Sequence, residues 1–271
     1  MDFTTDRMVM GLGLDLLKDE NLLSGLIYPS EQNYYWSDDW SADFYIEAAW
    51  AGFITTSTEV ENRVLLLPEI QKAYAVLDWE NLVMESRVRN IMESGAFSEN
   101  RYFLKINTSL DPVLNKIDEY HERSWLRGRY SELLKEIGAT EKNERNFKLF
   151  GVELWDGEAD VLVAGEIGYT IGAVYTSLSG FCDKNNREYN GFGIFQMVFL
   201  AMLLERHAYA FWNLGHPYMP YKFELGAKVF GRHDFLKRWF AARKKSPPKA
   251  FRKSACFDCE YLKKLLATSN N

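Results

Sequence analysis

Two glycines, Gly191 and Gly193, stand immediately before a long apolar stretch that reads as a helix from about Ile194. A helix start of this kind leaves backbone N–H groups free to meet a ligand's carbonyl or phosphate oxygen. A second chemical signal is charge. Between Lys228 and Lys253 the chain carries ten Lys/Arg (228, 232, 237, 238, 243, 244, 245, 249, 252 and 253) against one acid, Asp234. That segment is +9 while the whole chain is −6, so the remainder is −15. A cationic patch on an acidic body is what a phosphate-backbone ligand requires, and Arg243, Lys244 and Lys245 are its densest run. A third signal, Cys256-x-x-Cys259, lacks two further ligands nearby, so it reads as a thiol pair and no metal is expected.

The elements that would position these groups follow from periodicity. Residues 41–51 read as a helix capped by Ser41, with Phe44, Ala48 and Ala51 on one face and Gly52 as its stop. Residues 64–67 and 74–77 read as short strands, and 86–93 as a helix. Further on, 102–106 is strand-like, and 111–120 is a helix with Pro112 in its first turn. Residues 130–137 form another helix. Segments 147–155, 161–168 and 171–177 read as successive antiparallel strands, turned at Asp156-Gly157 and at 168–170. The helix 194–207 and a strand 208–212 complete the unit. This pattern predicts an α+β class, a mixed sheet with a central helix, preceded by a small N-terminal α+β domain. The expected boundaries are 1–100, 101–245 and a basic tail at 246–271.

Composition narrows the class. Apolar residues make up 47% and aromatics 15%, which excludes a largely disordered chain. The first residues lack a basic n-region, so no signal peptide is expected. The longest apolar run, 191–204, is about 14 residues and contains Gln196, against the roughly 20 needed to span a bilayer, so no membrane partner is expected. Three cysteines cannot build a disulfide framework and fit a reducing, cytoplasmic compartment.

The helix start is similar to that of the GNAT acyltransferase fold, whose acyl-CoA loop reads [Q/R]-x-x-G-x-G/A. Here Glu188 holds the first position and Arg187 is one residue out of register. An acid there would repel pyrophosphate, so the likeness implies the fold without CoA and without any other cofactor. A longer resemblance runs through segments 39–53, 67–82, 124–128, 153–155 and 225–236, which in order and spacing resemble the leucyl/phenylalanyl-tRNA–protein transferase family. It implies a reaction that moves leucine or phenylalanine from a charged tRNA to the N-terminal amine of an acceptor protein, as in N-degron catabolism. It also implies an apolar pocket. By register that pocket would be lined by Tyr175, Met197, Leu200 and Leu204, with Trp125 stacking near the terminal adenosine and Gly191 and Gly193 beside it.

The same resemblance locates the chemistry at the strand end Phe211-Trp-Asn-Leu-Gly-His216. The family's Asp falls on Asn213, its Gln on Gly215 and its earlier Glu on Leu178. Asn213 can orient and polarise through its amide but cannot act as a base. His216 can take up a proton near neutral pH. Three functions follow from this reading: an active aminoacyl-tRNA–protein transferase, a weakened relative that binds tRNA or peptide N-termini, or a GNAT-type N-acyltransferase with another donor.

Overall fold

Alternating apolar strands around one wholly apolar helix dictate the architecture, and the computed structural model describes it over residues 9–107, 109–121, 124–140, 143–248 and 254–269. The chain divides into two compact units, Met1–Lys72 and Ala73–Asn271.

The first unit holds α1 (Leu14–Lys18), α2 (Glu20–Leu22), a π-helical turn at Leu23–Ile27, α3 (Ala42–Trp50) and an antiparallel pair, β1 (Ile54–Val60) with β2 (Arg63–Glu69). Ser41 caps α3 as expected, its hydroxyl accepting the Phe44 N–H at 3.1 Å. The strand expected at 64–67 is β2. Its partner β1 was hidden by the polar run Thr55-Thr56-Ser57-Thr58, whose apolar signal is weak.

The second unit runs β3 (Ala73–Leu77), α4 (Ser86–Met92), α5 (Gly95–Ser98), β4 (Tyr102–Asn107), α6 (Asp111–Tyr120), α7 (Arg129–Ala139), β5 (Lys148–Asp156), β6 (Val161–Ile171), β7 (Val174–Cys182), α8 (Phe192–Arg206), β8 (Phe211–Gly215), α9 (Pro220–Glu224), β9 (Lys228–Gly231), α10 (Arg232–Ala242), β10 (Ala255–Asp258) and α11 (Cys259–Ser269). Its eight-stranded sheet has the order β10-β4-β5-β6-β7-β8-β3-β9. Every pair is antiparallel except β7 and β8, which run parallel because α8 carries the chain back between them. An antiparallel run closed by a helical crossover to a parallel strand is the GNAT-like α+β arrangement.

Expected boundaries differ from the observed ones for identifiable reasons. The first cut falls at Lys72/Ala73 rather than near residue 100, because β3 is an internal strand of the large sheet, between β8 and β9. The expected tail at 246–271 contributes β10, which pairs with β4, and α11, which packs against α8. Lys249, Arg252 and Lys253 lie outside the described residues. The turn expected at 168–170 is at Gly172, with φ +54°. Gly168 is instead inside β6, and a Cβ there would lie 2.1 Å from the Tyr175 hydroxyl. It is a glycine of close approach. The last strand starts at Phe211 rather than Ala208, since Ala208 at φ +61° makes the turn that leaves α8.

The helix α8 is buried almost all round: Phe195, Val198, Phe199, Leu200, Ala201, Leu203 and Leu204 are each 0% exposed. It packs on β4, β6, β7 and β8 and is flanked by α4 and α11. A helix apolar on every side is a core helix rather than an amphipathic one. Side chains alternate across the sheet, which separates its two faces. A Cβ at Gly165 would point at Val113 of α6, so α6 lies on one face. The neighbouring Glu166 turns toward α8 on the other.

Candidate functional site

Glu166 is a lone acid inside the apolar strand Val161-Leu-Val-Ala-Gly-Glu-Ile-Gly-Tyr-Thr-Ile171. It is 5% exposed. A carboxylate so placed must be hydrogen-bonded or neutral. Its Oε1 accepts the Tyr175 hydroxyl at 2.8 Å and the Ser177 hydroxyl at 2.7 Å. Both donors come from β7, and Tyr175 reaches Glu166 by crossing over Gly168. Trp212 of β8 extends the chain of bonds, its Nε1 donating to Ser177 Oγ at 2.8 Å. Gln196, the polar residue in the middle of α8, is buried on the same side. Its Nε2 has no hydrogen-bond partner, although its amide is near enough to Glu166 to favour the ionised form.

Lys222 of α9 closes the cluster. Its Nζ donates to the carbonyl oxygen of Leu214 and, at 2.8 Å, to that of His216, holding α9 against the end of β8. Burial pushes the Glu166 carboxyl up to about 7, against the opposing bonds from Ser177 and Tyr175, the Gln196 amide and the Lys222 charge. Burial likewise pulls the Lys222 ammonium down to about 8, with Glu166 resisting. The Tyr175 hydroxyl is raised well above its ordinary range by burial and by the Glu166 charge. Two groups of opposite type, both titrating near neutrality, are a site for moving protons. Above them, α9 and its approach expose Tyr218, Met219, Tyr221 and Phe223 to solvent. Tyr221 still feels the Glu166 charge, and burial with that charge pushes its phenol up to about 12.

The residues singled out from the sequence divide around this cluster. Tyr175 is a member. His216 contributes its carbonyl oxygen, while its ring stacks on Tyr218 with centroids 5.0 Å apart. Asn213 follows Trp212 on β8 and so faces the opposite side of the sheet. Its Oδ1 accepts the Gly215 N–H at 3.0 Å and its Nδ2 reaches Thr176 Oγ1 at 3.4 Å, so the amide is engaged in shaping the strand end. Trp125 is also on the other side, packed edge-on against Tyr130 at the start of α7. Met197, Leu200 and Leu204 are packed into the core around α8. Leu178 sits at the bulge in the β6–β7 pairing, so the carboxylate of this region comes from Glu166 on the neighbouring strand.

The start of α8 is occupied by the protein itself. Gly191, at φ +94°, is covered by the stem of Arg87: a Cβ there would lie 2.3 Å from Arg87 Cδ. The Gly193 N–H donates to the Cys182 thiol. Glu188 pairs with Arg101 at 3.1 Å, and the same guanidinium binds the buried Asp156, which in turn accepts the Tyr189 hydroxyl at 3.0 Å. Of the basic run, Arg243 is buried with its guanidinium 4.4 Å from the Phe240 ring centroid, whereas Lys244 and Lys245 are exposed. Cys256 is exposed on β10, while Cys259 is buried with its thiol on the Tyr102 carbonyl oxygen at 3.0 Å.

Glu166, Ser177, Gln196 and Lys222 were not singled out from the sequence. The available signal was the same for Glu166 and Gln196: one polar residue in the middle of an otherwise apolar element. Among the described residues no helix is long and apolar enough to cross a membrane.

No family model matches the chain, and no curated protein matches it. Among solved structures, it aligns with the C-terminal domain of a protein described as a lysylphosphatidylglycerol synthetase from Agrobacterium fabrum. The alignment covers 93% of this chain and 77% of that one, at 13% identity and a TM-score of 0.39. At that similarity the fold assignment rests on the strand order itself.

Proposed function

We propose that this chain is a GNAT-like aminoacyl transferase that moves leucine or phenylalanine from a cytoplasmic tRNA ester to the N-terminal amine of an acceptor protein, with Glu166 as the base. The observation that carries the reading is the buried Glu166, which accepts the Tyr175 and Ser177 hydroxyls next to Trp212 of β8 and whose carboxyl burial raises to about 7. An N-terminal amine has an ordinary pKa near 8, so a useful fraction is neutral at pH 7. What the reaction needs is positioning and one proton acceptor matched to neutrality. In the step, the amine nitrogen bonds to the ester carbonyl carbon and the carbon–oxygen bond to the tRNA ribose breaks. Glu166 takes the amine proton and returns it to the ribose oxygen.

The start of α8 supports a donor other than acyl-CoA. Its glycines are covered by Arg87 and Cys182, and Glu188, paired with Arg101, holds the loop position at which the acyl-CoA pattern calls for Gln or Arg. Exposed Lys244 and Lys245 are among the cations open to a tRNA backbone.

The test is a transfer assay with labelled leucyl-tRNA, phenylalanyl-tRNA and acetyl-CoA, offered with a peptide bearing N-terminal Arg or Lys. Label should move from the aminoacyl-tRNA, and Glu166→Gln should lower kcat by about 10²–10⁴-fold. Transfer from acetyl-CoA alone would replace the donor assignment with a GNAT-type N-acyltransferase. The enclosure of Glu166 and the engaged Asn213 amide favour a second reading, a relative that binds tRNA or peptide N-termini without transfer. Binding with no label moved would establish it.

A further inference from the structure

The donors in the Glu166 cluster can be accounted for one by one. Tyr175 and Ser177 give their hydroxyl protons to Glu166, Trp212 gives its indole proton to Ser177, and Lys222 gives two protons to the carbonyl oxygens of Leu214 and His216. Gln196 does not fit this pattern. It is 3% exposed, it faces the same cluster from α8 near enough to Glu166 to favour the carboxylate, and its Nε2 still makes no hydrogen bond within 3.5 Å. Leaving an amide donor unsatisfied in a core costs free energy that a methionine of similar shape would avoid. Core packing alone therefore does not account for a glutamine in the middle of α8.

We propose that Gln196 Nε2 is the donor that holds the carbonyl oxygen of the acyl group while Glu166 takes the amine proton. The assignment rests on the transferase reading above. The ligand atom must be an acceptor, because Gln196 offers N–H. It must also be neutral at the start, because an anion beside the Glu166 carboxylate would be repelled. An ester carbonyl oxygen meets both conditions. As the amine nitrogen bonds to the carbonyl carbon, that oxygen gains negative charge, and a donor fixed by a buried helix is already aimed at it. When the carbon–oxygen bond to the leaving ribose breaks, the charge returns to the carbonyl and the Gln196 bond weakens again.

The assignment makes an unusual joint prediction, tested with Gln196→Met in the full chain. Methionine keeps the side-chain length and the helix propensity while removing the unsatisfied donor. The variant should melt at least about 2 °C above the wild type. Its kcat for leucyl transfer should fall about 10²–10³-fold, with KM nearly unchanged. A lower melting temperature would overturn the assignment, because Gln196 would then be satisfied in the resting protein, for instance through a bridging water. A kcat within about threefold of the wild type, or a loss confined to KM, would overturn it as well. Wild-type protein inactive with every donor would remove the transferase reading and this assignment together. Active wild type with an unaffected variant would remove this assignment alone.

Discussion

Replacing Glu166 by glutamine should stabilise the protein at neutral pH and leave it unchanged in acid. Glutamine keeps an oxygen that can accept the Tyr175 and Ser177 hydroxyls, and it cannot ionise. In the folded protein the Glu166 carboxyl holds its proton up to about pH 7, against an ordinary value of 4.5. Between those two values the unfolded chain releases the proton and the folded one does not, so stability falls as pH rises. Two and a half pH units at about 1.4 kcal/mol each give a contribution on the order of 3 kcal/mol, fully present below pH 4.5 and lost once pH passes 7. Lys222 acts in the opposite sense at higher pH. Its value drops from 10.5 to about 8, so its contribution is present above 10.5 and lost as pH falls through 8. The wild type should therefore be least stable, as far as this pair is concerned, between about pH 7 and 8. Urea unfolding of both proteins at half-unit steps from pH 4.5 to 9 measures the difference, in which every other titrating group cancels to first order. The variant should match the wild type near pH 4.5 and exceed it by up to about 3 kcal/mol at pH 7.5. Parallel curves across pH 5–7 would refute the claim that Glu166 is held protonated by burial.

The remaining expectations concern the periphery of the site. Burial alone would raise the Asp156 carboxyl, but the Arg101 guanidinium, the Ala159 N–H and the Tyr189 hydroxyl outweigh it and hold it down at about 2. Asp156→Asn should therefore destabilise the protein above pH 4, with the difference closing as pH falls from 3.8 through 2. A pH-independent difference in urea midpoints would show that the charge is irrelevant. Replacing Lys244 and Lys245 together by alanine should lower the slope of log K against log salt for tRNA binding by at most about 2. An unchanged slope in filter binding would mean that neither lysine meets a phosphate.

The sequence carried the second unit's framework well, because its elements are long and strongly patterned. Pro112 in a first turn and the run of antiparallel strands ahead of one apolar helix were legible from residue types, as was Ser41 as the cap of α3 in the first unit. The polar strand β1 was not, because its Thr/Ser run carries little apolar signal, and neither was the pairing of β10 with β4, a partner far back in the sequence. The site was less legible for a related reason. Glu166, Tyr175, Ser177, Gln196, Trp212 and Lys222 lie on five different elements, and no local spacing connects them. Asn213 and Trp212 are adjacent in sequence, yet strand alternation sends one to each side of the sheet. The Met197–Leu200–Leu204 stripe could not be told from core packing because α8 is apolar on every side.

The stretch from residue 216 to 224 has unequal ends. At the far end, Gly226 sits at φ +106° with the Asn81 carbonyl oxygen 1.8 Å from where a Cβ would be, Leu225 is fully buried, and its carbonyl oxygen takes the Val83 N–H at 2.9 Å. At the near end, Gly215 at φ +72° is followed by the ammonium clasp on the β8 carbonyls. Such a flap is riveted on one side and buttoned on the other. Loss of the Lys222 ammonium would therefore release the β8 end alone, while the backbone bond between Val83 and Leu225 kept the other end in place.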